Sequence, residues 1–125
     1  MTKTTKAAAL FKFFNSFGLE AHPSSATEGA QLPYITYDLA VGADDSGDVN
    51  IPVNIWYRTD SEKTLNDKVE EISARIGRGG TTLPCDGGFI WLTRGTPWAQ
   101  AVKDPDDETV KRRFLNITAK FETLN

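Results

Sequence analysis

The sequence predicts an α+β domain, a mostly antiparallel sheet of four to five strands with two α-helices packed on one face. Three observations carry this. Residues 34–42 and 49–58 alternate side chains with the period of a strand. Leu65, Val69, Ile72 and Ile76, and before them Leu10, Phe13, Phe14 and Phe17, recur at helical spacing. The chain has 125 residues and one cysteine, so a single domain spanning 1–125 is expected to rest on an apolar core rather than on disulfides. Folding at this size buries roughly 65% of the surface the unfolded chain exposes, which is enough for one core.

In chain order, residues 4–17 read as an amphipathic helix that Thr4 or Thr5 can cap and Gly18 can end. A helix lying on a membrane surface is the alternative, but a short helix with a Phe-rich stripe more often packs on a core. Residues 20–33, with Pro23, Gly29 and Pro33, read as a loop. In 34–42, Ile35, Tyr37, Leu39 and Val41 share one side. The run 43–48 (ADDSGD) reads as a hairpin loop, and 49–58 as a strand with Val49, Ile51, Val53, Ile55 and Tyr57 together. Pro52 cannot donate to a ladder, which predicts an edge position or an irregular start.

The second helix, with its stripe at Leu65, Val69, Ile72 and Ile76, has cap candidates in Thr59 with Glu62, or in Ser61 alone. It has an i,i+4 pair in Glu71 and Arg75 and a stop at Gly77. A short strand at Thr81–Cys85, an Asp86-Gly87-Gly88 turn and a strand at Phe89–Arg94 follow, then a loop over 95–108. The last stretch, VKRRFLNITAKFET, fits a strand through Leu115, Ile117, Ala119 and Phe121, or a helix through Val110, Phe114, Ile117 and Phe121. Its Thr, Ile and Phe content favours the strand, which would also cover a long open edge.

Charge is unevenly placed. Residues 1–19 carry Lys3, Lys6 and Lys12 and no acid, residues 20–54 carry six acids and no base, and the rest balances, for a net charge of −3. No basic stripe predicts tight nucleic-acid binding. The acidic stretch reads either as a solvated surface or as one that faces another polyanion without adhering to it. No apolar run approaches the ~18 residues of a membrane span. Lys12 interrupts the N-terminal apolar stretch too early for a signal peptide, so the expected setting is reduced and cytosolic.

Chemical motifs fail inspection. GRGGTT (77–82) lacks the GK[ST] of a phosphate loop and follows a helix instead of opening one. DDSGD has its glycine one place early for a calcium loop and no glutamate at the twelfth position. Cys85 has no base near it in sequence, because the one histidine, His22, lies far upstream. One histidine and one cysteine make a zinc site unusual, and the Asn116-Ile117-Thr118 sequon carries no weight without an export signal. No catalytic residue, metal or cofactor is expected.

The informative feature is apolar side chains on both faces of the strands. Phe89 and Trp91 face one side and Ile90 and Leu92 the other, while Trp56 lies opposite Ile55 and Tyr57. An antiparallel sheet normally has one wet face. Two helices cover one face and hardly both, so loops or a neighbouring subunit must cover the second.

Read in order, FFNSFGLEAHP, LPYITYDL, IWYRTDS, LNDKVEEISARIGRGG, DGGFIWLTRGTPW and KRRFLNITAKFETLN resemble the tail terminator, or tail completion, proteins of long-tailed double-stranded DNA phages. The resemblance spans nearly the whole chain. Its most specific pieces are PYITY with IWYRT and the DGG-x-IWL-x-RG-x-P segment, and it departs from the pattern at His22-Pro23.

The resemblance implies a tail terminator-like sheet with two helices and a ring, typically a hexamer, at the head-proximal end of the tail tube. Such a ring stops tube polymerisation and joins tail to head, and genome DNA passes through it without specific binding. Its partners are then further copies of itself, the major tail tube protein and a head-completion or stopper protein, in a virion assembled in the host cytoplasm, with no membrane contact. On this reading Asp44, Asp45 and Asp48 line the channel or meet the tube, with Asp106, Asp107 and Glu108 competing for that role. Trp56, Arg58, Trp91, Arg94 and Trp98 make subunit or tube contacts. The rival readings are another head–tail connector, a tail-tube subunit, a small ligand-binding module and, last, an enzyme.

Overall fold

The computed structural model describes residues 4–43, 47–103 and 109–125. Helix α1 (Lys6–Phe14) starts where Thr5 Oγ1 accepts the Ala8 N–H at 3.0 Å. A 3₁₀ turn (Asn15–Phe17) prolongs it, and Gly18, at φ 78°, stops it in the left-handed region. Leu10, Phe13, Phe14 and Phe17 are buried, as their spacing predicts, and Ala9 is buried with them.

Helix α2 (Glu62–Ile76) buries Leu65, Val69, Ile72 and Ile76 and ends at Gly77. Its start differs from both predicted caps. Ser61 is the N-cap but makes no side-chain cap bond. Thr59 Oγ1 accepts the Ser61 N–H at 3.0 Å, and Glu62 turns away to Arg113 and Lys111. Glu71 pairs with Lys68 at 3.0 Å instead of Arg75. Arg75 donates to Ser16 Oγ at 3.1 Å and lies 5.2 Å over Phe17. The nearby aromatic of the first helix outcompetes a solvated carboxylate.

The α+β class with two helices is as predicted, but the sheet is larger and mixed. Six strands, β1 (Glu20–Pro23), β2 (Tyr34–Tyr37), β3 (Asp48–Arg58), β4 (Thr81–Cys85), β5 (Gly88–Lys103) and β6 (Val110–Glu122), lie in the order β1-β2-β3-β6-β5-β4. All neighbours are antiparallel except β1 and β2, which are parallel. Helix α1 touches both rim strands, β1 and β4, and the sheet curls around it, while α2 packs on β5 and β6.

Four local expectations change. Residues 20–23, expected in a loop, form a rim strand, because Ala21 reaches the core beside Ile35. The strand expected over 34–42 stops at Tyr37, and Leu39 and Val41 are exposed. Pro52 sits in an interior strand. Its carbonyl accepts from Asp38 N at 2.9 Å, so its missing N–H faces the side where β2 has already ended. Residues 95–103, expected in a loop, continue β5 past a bulge between Arg94 and Ala99, because the long β6 offers them a ladder. Asn116 Nδ2 donates to the Pro97 carbonyl at 2.7 Å and pins that bulge. The strand reading of the C-terminal stretch holds, with Arg113, Leu115, Ile117, Ala119 and Phe121 buried in strict alternation.

Candidate functional site

Strand parity sorts the sheet into two faces. Ile35, Tyr37, Ile51, Val53, Ile55, Ile90, Leu92, Leu115, Ile117, Ala119 and Phe121 join both helices in one core. Among the described residues the other face carries no helix. Its cross-strand rows are Tyr34–Trp56–Arg112 at one end and Asp48–Lys120–Trp91–Thr82 near the other, with Asn50–Thr118–Thr93 between them. This helix-free face is the candidate site.

Each tryptophan here is held by a polar anchor and a cation. Trp56 is half-buried; its Nε1 donates to Thr36 Oγ1 at 2.9 Å, and the Arg112 guanidinium lies 4.9 Å over the ring. Trp91 stays 37% exposed; its Nε1 donates to the Gly79 carbonyl at 3.0 Å, and the Lys120 ammonium lies 5.6 Å from the ring. GRGGTT therefore ends α2 and folds over Trp91. Gly80 has φ +87°, and a Cβ there would lie 2.5 Å from both Leu92 O and Trp91 Nε1.

Phe89, 41% exposed, has no such cover among the described residues. It pairs with Glu122 beside Leu124, whose N–H donates to Gly87 O at 3.2 Å. Lys6 Nζ joins the Gly42 and Asn125 carbonyls at 3.0 and 2.7 Å, which brings exposed Val41 to the same end of the sheet. Phe89, Trp91 and Leu124 are thus exposed at one apolar corner of the face, near Asp48, which pairs with Lys120 at 3.7 Å.

The five residues expected at contacts divide. Trp56, Arg58 and Trp91 lie on the helix-free face, where Arg58 Nη1 donates to Thr109 Oγ1 at 2.6 Å. Arg94 and Trp98 do not. Arg94 Nη1 donates to Ser73 Oγ of α2 at 2.7 Å, and Trp98 packs on the core in a hollow with Asn66, Val69 and Arg113. Trp98 keeps the parity of Ile90, Leu92 and Arg94, and the bulge brings Ala99, opposite Leu115, to that side as well. Asp48 is exposed at the start of β3. Asp44, Asp45, Asp106, Asp107 and Glu108 lie outside the described residues.

Sequence reading missed the polar patch under the β1 end of the face. His22 is 6% exposed with Nε2 lacking a hydrogen-bond partner among the described residues, edge-on to Tyr34, and Asn54 Oδ1 is likewise buried without one. The register of β1 on β2 puts His22 beside Thr36, and that of β2 on β3 puts Thr36 beside Asn54.

The shifted titrating groups among the described residues lie on different elements. Burial pushes the Cys85 thiol up, Lys6 opposes this and Asp86 adds to it, so the thiolate nucleophile is disfavoured. Cys85 is on one rim strand and His22 on the other. Burial likewise raises Tyr37. A hydrogen bond from Arg113 holds Glu62 below the usual carboxylate range. Among the described residues no cluster of three or more His, Cys, Asp or Glu could hold a metal, and no helix is long and apolar enough to cross a membrane. No protein-family model, curated protein or solved structure matches the chain.

Proposed function

We propose that the protein is a structural subunit that closes into a ring at the head-proximal end of a phage tail tube, ends tube growth and joins tail to head, with DNA passing through. The observation that carries this reading is the helix-free sheet face with its exposed corner at Phe89, Trp91 and Leu124. A ring needs two different surfaces that meet head to tail. The corner supplies one, apolar with Asp48 and Glu122 beside it. The other end of β3, roughly 30 Å away at strand rise, supplies Arg58 and Arg112 on the same face. The sequence resemblance supplies the place of that ring in a virion, and the acidic stretch over 20–54 suits a passage that DNA must slide through without sticking.

The test is electron microscopy of the purified protein alone and mixed with tail tubes, beside Phe89→Glu. Rings, or density capping one tube end, that vanish in a folded Phe89→Glu variant are the expected result. Long tubes from the protein alone would make it a tube subunit. A monomer that ignores tube ends would overturn the assignment.

A further inference from the structure

The two rims of the sheet are finished differently. On β1, Ser24 N–H turns inward to Tyr37 O, so Ala21 and Pro23 turn their peptide groups outward. Asn15 Oδ1 takes the Ala21 N–H at 3.0 Å, and Pro23 has none to offer. That rim is closed to a further strand.

On β4, Cys85 and Gly88 flank a two-residue turn, so Thr81, Leu83 and Cys85 direct their peptide groups to β5 and Thr82 and Pro84 direct theirs outward. Asp86, of the same parity, donates its N–H to the Thr4 carbonyl at 2.8 Å, so this rim already receives one rung from a passing segment. The Thr82 N–H and the Thr82 and Pro84 carbonyls have no partner among the described residues. A cleft of about 480 Å³ runs beside them between β4 and α1, with Ala9, Phe13 and Leu83 as apolar lining and Lys12 and Arg75 as cations. Asp86 is the one acid in its lining.

We propose that an extended acidic segment of a partner protein adds to β4 as a seventh strand, its backbone on Thr82 and Pro84 and its carboxylates toward Lys12 and Arg75. Main-chain bonds give such a strand its hold, and the alternate side chains and charges give selectivity. A second copy of this chain is a poor occupant. Its β1 rim is capped, and pairing β4 with β4 would set two groups of Lys12 and Arg75 against each other. The site does not depend on ring formation.

The sole cysteine, Cys85, is half-buried in this cleft and reports on it. The probe is a fluorescein-labelled peptide that alternates glutamate with valine and threonine, with a lysine-for-glutamate version as control. Saturable anisotropy is expected with the acidic peptide only, together with slower maleimide labelling of Cys85. Thr82→Pro, which removes the outward N–H, and Lys12→Glu should each weaken binding about tenfold, and Phe89→Glu should leave it intact. Lys12→Glu keeps the test open if Thr82→Pro unfolds the rim. Absence of binding, equal binding of the lysine peptide, or wild-type binding by Lys12→Glu overturns the proposal. So does Cys85 protection that rises with protein concentration without peptide, which would seat a second copy in the cleft. Rings that form without peptide binding sink this site and leave the ring. Peptide binding without rings does the reverse.

Discussion

The two faces of the sheet are built from the same strands and hold together by different physics. On the helix side, Ile51, Val53, Ile55, Leu115, Ile117 and Ala119 are almost wholly shielded and contribute through apolar area and close packing. On the opposite side, Trp56 and Trp91 each combine one indole hydrogen bond with one overlying cation, and polar rows separate them. Neighbours in sequence therefore serve different ends: Ile55 seals the core, and Trp56 dresses a surface. An apolar residue on the second face need not be covered by a partner, because Arg112 and Lys120 partly cover two of them. Phe89 and Leu124 lack that cover, and this singles out their corner.

The contrast can be broken by substitution. Ile55→Ala, at 0% exposure, should cost about 3–4 kcal/mol in urea unfolding, because the lost contacts leave a cavity within a packed layer. If it costs no more than a change at Trp56, the distinction between the faces fails. Gly80→Ala should cost about 2 kcal/mol, because a positive φ and the contact at Trp91 and Leu92 must both yield. Its near-ultraviolet circular dichroism should change as Trp91 is displaced. Trp56→Phe keeps a ring under Arg112 but removes the donor to Thr36, and about 1 kcal/mol is expected.

The smallest effect concerns Glu62, where α2 meets β6. Its folded-state pKa lies below the ordinary value of 4.5, chiefly through the Arg113 hydrogen bond. A carboxylate so lowered contributes stability above its unfolded pKa and loses it as pH falls through the folded one. Glu62→Gln should therefore be less stable than the wild type near neutrality, and the gap should close below about pH 4. A gap that stays constant through the acid range would show that the ion pair is not its source.

Much of this architecture was legible from periodicity. The stripe at Leu65, Val69, Ile72 and Ile76, the hairpin from Thr81 through Asp86-Gly87, and the alternation through Leu115–Phe121 all stand where spacing placed them. So does the split of Phe89 and Trp91 from Ile90 and Leu92. Strand β1 was not legible, since four residues ending in proline have no period to read and form a strand only by pairing with β2. The second half of β5 was masked by Gly95 and Pro97, ordinary turn residues that here occupy a bulge. Leu39 and Val41 keep the alternation of a strand without a strand partner, so pattern alone overextended β2.

At the site, composition and spacing already fix which chemistry is present: aromatic and basic side chains, one remote histidine and one thiol. They also set the local period of each segment, because sterics and side-chain direction act between near neighbours. The folded sheet alone brings Arg112 and Lys120 over the tryptophans, carries β5 past its bulge, and caps one rim while the other keeps unpartnered groups among the described residues. Those outcomes depend on register between strands distant in the chain. Register is a property of the whole packed sheet, which no single segment encodes.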